Sequence, residues 1–167
     1  LPGLHLKTLQ RLIIRPLGES DPADLAGLLS GSPDEYTRFF HPFEFEAAVI
    51  ALLAFKAVLD QWFMLEVEEA GMFRPAGFYM LRGLDEGFPD PMYGVFVTQR
   101  FAGRGLARLT LAHAESQCRL NGWKNLRLKV DPQNVRAHKL YLACGFEFES
   151  VDPNNDNQVV LRRKIPQ

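Results

Sequence analysis

The chain is poor in cysteine, nearly neutral and without a long apolar run, and each scarcity removes a class of protein. Two cysteines, Cys118 and Cys144, are too few to staple 167 residues, so no disulfide framework is expected and a reducing, cytoplasmic compartment is. Cys144 is read as a buried inert thiol rather than a nucleophile. His5, His41, His113 and His138 share no ligand spacing, and no metal is expected. A net charge of −1 offers no field for nucleic acid or an anionic membrane, so any basic site must be local. The most apolar block, residues 47–59, is interrupted by Lys56 and falls short of the roughly 20 residues that span a bilayer. No cationic leader precedes a cleavage site, and secretion is not expected.

What is present reads as one globular domain over 1–167, with 47% hydrophobic and 23% charged residues. Strands are expected at 12–17, 62–68, 76–82, 92–98, 125–131, 146–150 and 158–164, from apolar alternation and their Gly and Pro boundaries. Asp21-Pro22 and Ser32-Pro33 open two short helices, with Asp21 as the cap of the first. A third helix, 46–59, is apolar on nearly every side and is therefore expected to be heavily buried. Helices at 105–120 and 134–144 carry apolar stripes and stop at Gly122 and Gly145. The fold class is α/β: a single-domain, mostly antiparallel sheet of about seven strands with helices on both faces. The strands at 92–98 and 125–131 should run parallel through a right-handed crossover.

The most informative stretch runs from Val95 to Ala107. An apolar strand stops, the chain passes Gly103 and Gly105, and a helix begins. The unpaired N–H groups of a helix's first turn and the positive end of its dipole suit a phosphate. Arg100 and Arg104 add charge. The phosphate loop of nucleoside triphosphatases needs Lys-Ser/Thr after its last glycine, and Leu106-Ala107 stand there instead. The dinucleotide fingerprint needs a third glycine where this chain has Arg108.

Arg100-x-x-Gly103-x-Gly105 resembles the Gln/Arg-x-x-Gly-x-Gly/Ala pyrophosphate loop of the GNAT superfamily of acyl-CoA-dependent N-acyltransferases. The segment Asn134-Val135-Arg136-Ala137-His138-Lys139-Leu140-Tyr141-Leu142-Ala143-Cys144-Gly145-Phe146 is similar to that family's Asn-x-x-Ala-x-x-Leu-Tyr-x-x-x-Gly-Phe. One departure is Ala102, where many members carry Arg. The resemblance implies that the parallel central pair splays and that acetyl-CoA lies along the exposed edge at Val95, Phe96 and Val97. It further implies cofactor contacts from Arg100, Phe101, Ala102, Gly103, Arg104, Gly105, Leu106, Ala107, Asn134 and Tyr141. Asn134 is also the expected N-cap of its helix.

Acyl transfer to an amine needs a base for the ammonium, a donor for the oxyanion and an acid for the departing sulfur. The resemblance makes Tyr141 the acid, and the backbone N–H of Val97 or a neighbour is the expected oxyanion donor. Glu66, Glu68, Asp85, Glu86 and Asp90 are candidate bases, with Glu86 preferred for its acidic loop. Phe40, His41, Phe43, Asp85 and Glu86 are the expected acceptor-binding residues, since aromatic faces and carboxylates suit a cationic amine or an amino sugar. The expected function is N-acetyl transfer from acetyl-CoA to a small amine, by direct attack in a ternary complex, in a monomer or homodimer. A non-catalytic acyl-CoA sensor and an ATP-using enzyme are the competing readings.

Overall fold

Seven strands form one sheet in the computed structural model, which describes residues 10–167. They are β1 (Leu12–Pro16), β2 (Gln61–Glu69), β3 (Met72–Arg82), β4 (Met92–Val97), β5 (Asn125–Val130), β6 (Glu147–Asp152) and β7 (Gln158–Lys164). Their order is β1-β2-β3-β4-β5-β7-β6, with β4 and β5 parallel and the other neighbours antiparallel. The helices are α1 (Asp21–Ser30), α2 (Asp34–Thr37), α3 (Ala47–Phe55), α4 (Leu106–Asn121) and α5 (Val135–Ala143). The succession of elements matches the one expected.

Alternation along the strands builds two cores, one on each face of the sheet. Phe63, Leu65, Tyr79, Leu81 and Tyr93 join Leu111, Ala114 and Cys118 of α4 on one face. Trp62, Met64, Phe78, Met80 and Phe96 meet Leu25 and Leu29 of α1 and Ile50 of α3 on the other. The apolar–acidic alternation of 62–68 reads as a half-buried strand, and for β2 that reading is corrected. Trp62 through Leu65 are all buried, because helices cover both faces at that point. Its acidic positions are braced instead: Glu66 pairs with Arg15 at 3.0 Å and Glu68 with Arg11 at 2.6 Å.

The third helix differs from its expectation in length and burial. It ends at Phe55, and Ile50 is its only fully buried residue. Leu52 is 50% exposed and Phe55 45%, because α3 packs on α1 along one side and forms the outer layer there. Asp21 is likewise not a cap. It is the first residue of α1, where its carboxylate takes Arg15 at 2.6 Å and the Gly18 N–H at 2.6 Å.

Candidate active site

The central parallel pair holds together at only two positions. Met92 faces Arg127 and Tyr93 faces Leu128, and beyond them β4 and β5 part. Thr98 donates its N–H to Ala76 at 2.9 Å. In an antiparallel ladder hydrogen-bonded pairs alternate, so with Val97 opposite Gly77 and Phe96 opposite Phe78, Phe96 and Gly94 also bond to β3. Val95 and Val97 then turn their N–H and C=O groups into the gap. The expectation of Val95, Phe96 and Val97 as the open edge is corrected for Phe96, whose backbone belongs to β3. The Val97 carbonyl already accepts from Tyr36 Oη at 2.6 Å. What stays open is the pair of groups on Val95 and the N–H of Val97.

The loop after β4 is a single helical turn, Gln99–Phe101, anchored by Phe101, which is 3% exposed within the first core. Gly103 and Gly105 have φ of +74° and +80°, a region that side chains disfavour. Helix α4 begins directly after Gly105, without a side-chain cap. The first-turn N–H groups of Leu106, Ala107 and Arg108 are thus left for a ligand at the mouth of the gap. Ala102, Gly103, Gly105, Leu106 and Ala107 line the cleft. Arg100 and Arg104 do not: Arg100 bridges to Glu69 at 2.8 Å, and Arg104 lies 5.4 Å over the Phe101 ring. The cations that line the cleft here are Arg108 and Arg136. Arg136 Nη2 lies only 3.9 Å from where a Cβ on Gly103 would stand. Both are sequence misses, although Arg136 lies inside the second motif.

Helix α5 delivers the tyrosine. Asn134 caps it by accepting the Ala137 N–H at 3.2 Å and also lines the cleft. Tyr141 leans on Phe146, ring centroids 5.9 Å apart, and lines the gap with Val95 and Val97. Burial, and secondarily Cys144, push its phenol up to about 12. The two tyrosines buried in the core have partners: Tyr93 bonds Thr110 at 2.8 Å and Tyr79 bonds His113. The Tyr141 hydroxyl has no hydrogen-bond partner among the described residues.

The candidate bases sort by their partners. Glu66 and Glu68 are spent on Arg15 and Arg11. Asp85 accepts the backbone N–H groups of Val58, Leu59 and Asp60, while Asp60 accepts those of Leu84 and Asp85. These bonds hold the Asp85 pKa down and keep it out of the cleft, correcting its acceptor-binding role. Burial would raise Asp90, but hydrogen bonds from Asn125, the Lys124 N–H and Arg127 outweigh it and lower the pKa. Glu86 alone of the five lines the cleft without a partner among the described residues.

The cleft has a volume of about 1270 Å³ and runs from the α4 N-terminus past Tyr141 to the 83–90 loop. Phe40 and His41 line it, whereas Phe43 does not. Phe43 packs against Trp62 at 5.5 Å and Phe40 at 6.3 Å, in the second core. Phe39 lines the cleft beside Phe40 and His41, and Tyr36 and Arg82 join the lining without having been expected there.

The residues present fit a diphosphate-bearing thioester. Bare helix donors and two cations stand at one end, an open strand edge follows, and a protonated phenol faces that edge. The sequence model of the acetyltransferase (GNAT) family matches residues 28–146. The chain belongs to the GNAT acetyltransferase family. Its fold is that of solved GNAT enzymes. A spermidine N-acetyltransferase from Vibrio cholerae, in complex with CoA and spermine, superposes with a TM-score of 0.70 at 21% identity, over 92% of this chain and 95% of that one. The ribosomal-protein-S18-alanine N-acetyltransferase from Escherichia coli gives 0.70 at 18% identity, over 94% and 96%. A domain from Methanocaldococcus jannaschii gives 0.76 at 16% identity, over 93% and 99%. No curated protein matches the chain significantly in sequence.

Proposed function

We propose that this GNAT acetyltransferase moves the acetyl group of acetyl-CoA to a primary amine of a small acceptor, in one domain spanning 1–167 and by direct attack. The observation that carries the reading is the open edge formed by the Val95 groups and the Val97 N–H, between the bare N-terminus of α4 and the free hydroxyl of Tyr141. Acetyl-CoA supplies the activated thioester. The first-turn N–H groups of α4, with Arg108 and Arg136, hold its phosphates, and the edge of β4 holds its extended arm.

An alkylammonium with a pKa near 10.4 is neutral in only about one molecule in a few thousand at pH 7. Glu86, open in the cleft, accepts the ammonium proton. An N–H of Val95 or Val97 faces the developing oxyanion. As the C–S bond breaks, Tyr141 Oη delivers its proton to the departing sulfur and regains one from the nitrogen, which sheds its second proton as the amide forms. A phenol held near 12 stays protonated throughout the neutral range. Supporting a catalytic reading over a sensor is that Tyr141 and Glu86 both reach the cleft with uncommitted polar atoms. The test is release of free CoA thiol from acetyl-CoA on addition of an amine panel. Binding of acetyl-CoA with no release for any amine would favour the sensor.

A further inference from the structure

Several charged side chains that line the cleft are committed to one another. Arg127 holds Asp90 at 3.1 Å and Glu149 at 2.8 Å, and Lys129 holds Asp152 at 2.8 Å. Two groups in the β3–β4 wall are left over. One is Glu86, and the other is Arg82, the last residue of β3. Arg82 is half-buried and its guanidinium lies 5.9 Å from the centre of the Trp62 ring. It has no carboxylate within bridging distance among the described residues. Although only four positions separate it from Glu86, the two do not pair.

Such a guanidinium is poised for an anion. Packing against an indole face limits the conformations of its planar fork, so less freedom is lost when it grips two oxygens. Partial burial in a cleft weakens solvent screening, so the positive potential reaches a ligand more strongly than on an open surface. The phosphates of the cofactor are not the match. Arg82 stands opposite Met92 at the start of β4, whereas the glycine loop follows its end at Val97. Six strand residues, roughly 20 Å, lie between them. The free carboxylate that receives the amine is on the same wall as Arg82.

We propose that the acceptor carries an anionic group, a phosphate ester or a carboxylate, in addition to its amine, and that Arg82 binds this anion. The inference rests on the acetyl-transfer reading above. It predicts that plain alkylamines and polyamines are poor acceptors, because they leave Arg82 without a counter-ion and bring a second positive charge toward it.

The experiment uses matched pairs: glucosamine with glucosamine 6-phosphate, and tyramine with tyrosine. Titration of CoA into the protein comes first, since absence of binding there would sink the transfer reading itself, before any acceptor is added. Thiol release is then compared within each pair. The expected result is at least a 30-fold higher kcat/KM for one anion-bearing member, the phosphate and carboxylate arms showing which anion is read. Arg82→Gln should shrink that preference to less than threefold, and Arg82→Lys should restore part of it. As a readout apart from turnover, the phosphorylated or carboxylated amine is titrated into CoA-loaded protein, where Arg82→Gln should weaken binding at least tenfold. Equal or better use of glucosamine and tyramine, or unaltered binding in the Gln variant, would overturn the proposal.

Discussion

Tyr36 Oη donates to the carbonyl oxygen of Val97 at 2.6 Å and ties the one-turn helix α2 to the open edge of β4. The same ring stands edge-on to Phe96 at 5.9 Å. The cleft wall at Phe39, Phe40 and His41 is thereby held to the strand with the open edge. Tyr36→Phe keeps the ring contact and deletes the hydroxyl bond. It should cost about 1 kcal/mol of stability and speed amide exchange in residues 36–41. A urea midpoint and exchange pattern matching the parent would show that the bond contributes nothing.

Gly105 ends the loop at φ +80° immediately before the bare first turn of α4. Gly105→Asp puts a strained side chain and a negative charge where phosphate is to sit. Affinity for CoA should fall by about 100-fold or more, on the scale of 1.4 kcal/mol per tenfold. Calorimetry that finds the variant within threefold of the parent would remove this turn from the cofactor site.

Tyr141→Phe should reduce kcat by about 100-fold, the lower range for loss of a general acid, with CoA affinity held within threefold. Because burial raises the phenol to about 12, no limb of the rate profile between pH 6 and 10 belongs to it. The variant should lower the plateau without moving either limb. The same shift has a stability consequence. With its folded pKa above the unfolded value, Tyr141 contributes fully below about pH 10, and that contribution fades as pH rises to 12. Alkaline melts of Tyr141→Phe should therefore show a shallower decline than the parent over that window.

Asp85 and Asp60 clamp the 83–88 loop to the end of the α3 connection through reciprocal backbone bonds. Asp85→Ala removes the four contacts its carboxylate makes with three backbone N–H groups, loosening the loop that carries Glu86 without touching the cleft lining. The expected outcome is a fall in kcat/KM for the acceptor of about tenfold, as misplacing a catalytic group by a fraction of an ångström can cost that much or more, while CoA still binds. Parallel loss of CoA affinity would show that the loop supports the cofactor end instead.

Asp21 holds both Arg15 nitrogens, at 2.6 and 3.0 Å, and these bonds together with the Gly18 N–H hold its pKa below the ordinary carboxylate value. A depressed folded pKa stabilises above the unfolded value near 4 and loses that contribution as pH falls through the folded one. Asp21→Ala should cost about 2 kcal/mol at pH 7 and distinctly less at pH 2. A penalty that did not shrink in acid would assign the effect to packing.

The order of strands and helices was legible because strict alternation and glycine stops mark nearly every boundary. Gly122 and Gly145, at φ +71° and +84°, end α4 and α5 as their sequence positions suggest. The glycine loop and the tyrosine were legible as spaced motifs. What periodicity does not carry is the destination of a long or charged side chain. Arg100 finds Glu69 on the β2–β3 hairpin, and Asp85 finds three N–H groups some 25 residues upstream. Such choices depend on which segments the sheet brings together. Tyr36 had no signal at all, since its hydroxyl meets a carbonyl 61 positions away. The burial of 46–59 was overestimated for a related reason: an apolar composition states what a helix could bury, and only the layer count states what lies above it.

The two-rung join at Met92/Arg127 and Tyr93/Leu128 makes the sheet a pair of leaves on a narrow isthmus. One leaf holds β1 to β4 and the other β5 to β7. Any long molecule lodged in the wedge acts as a rivet across that isthmus, so resistance to mechanical shearing between the leaves should rise when the wedge is filled.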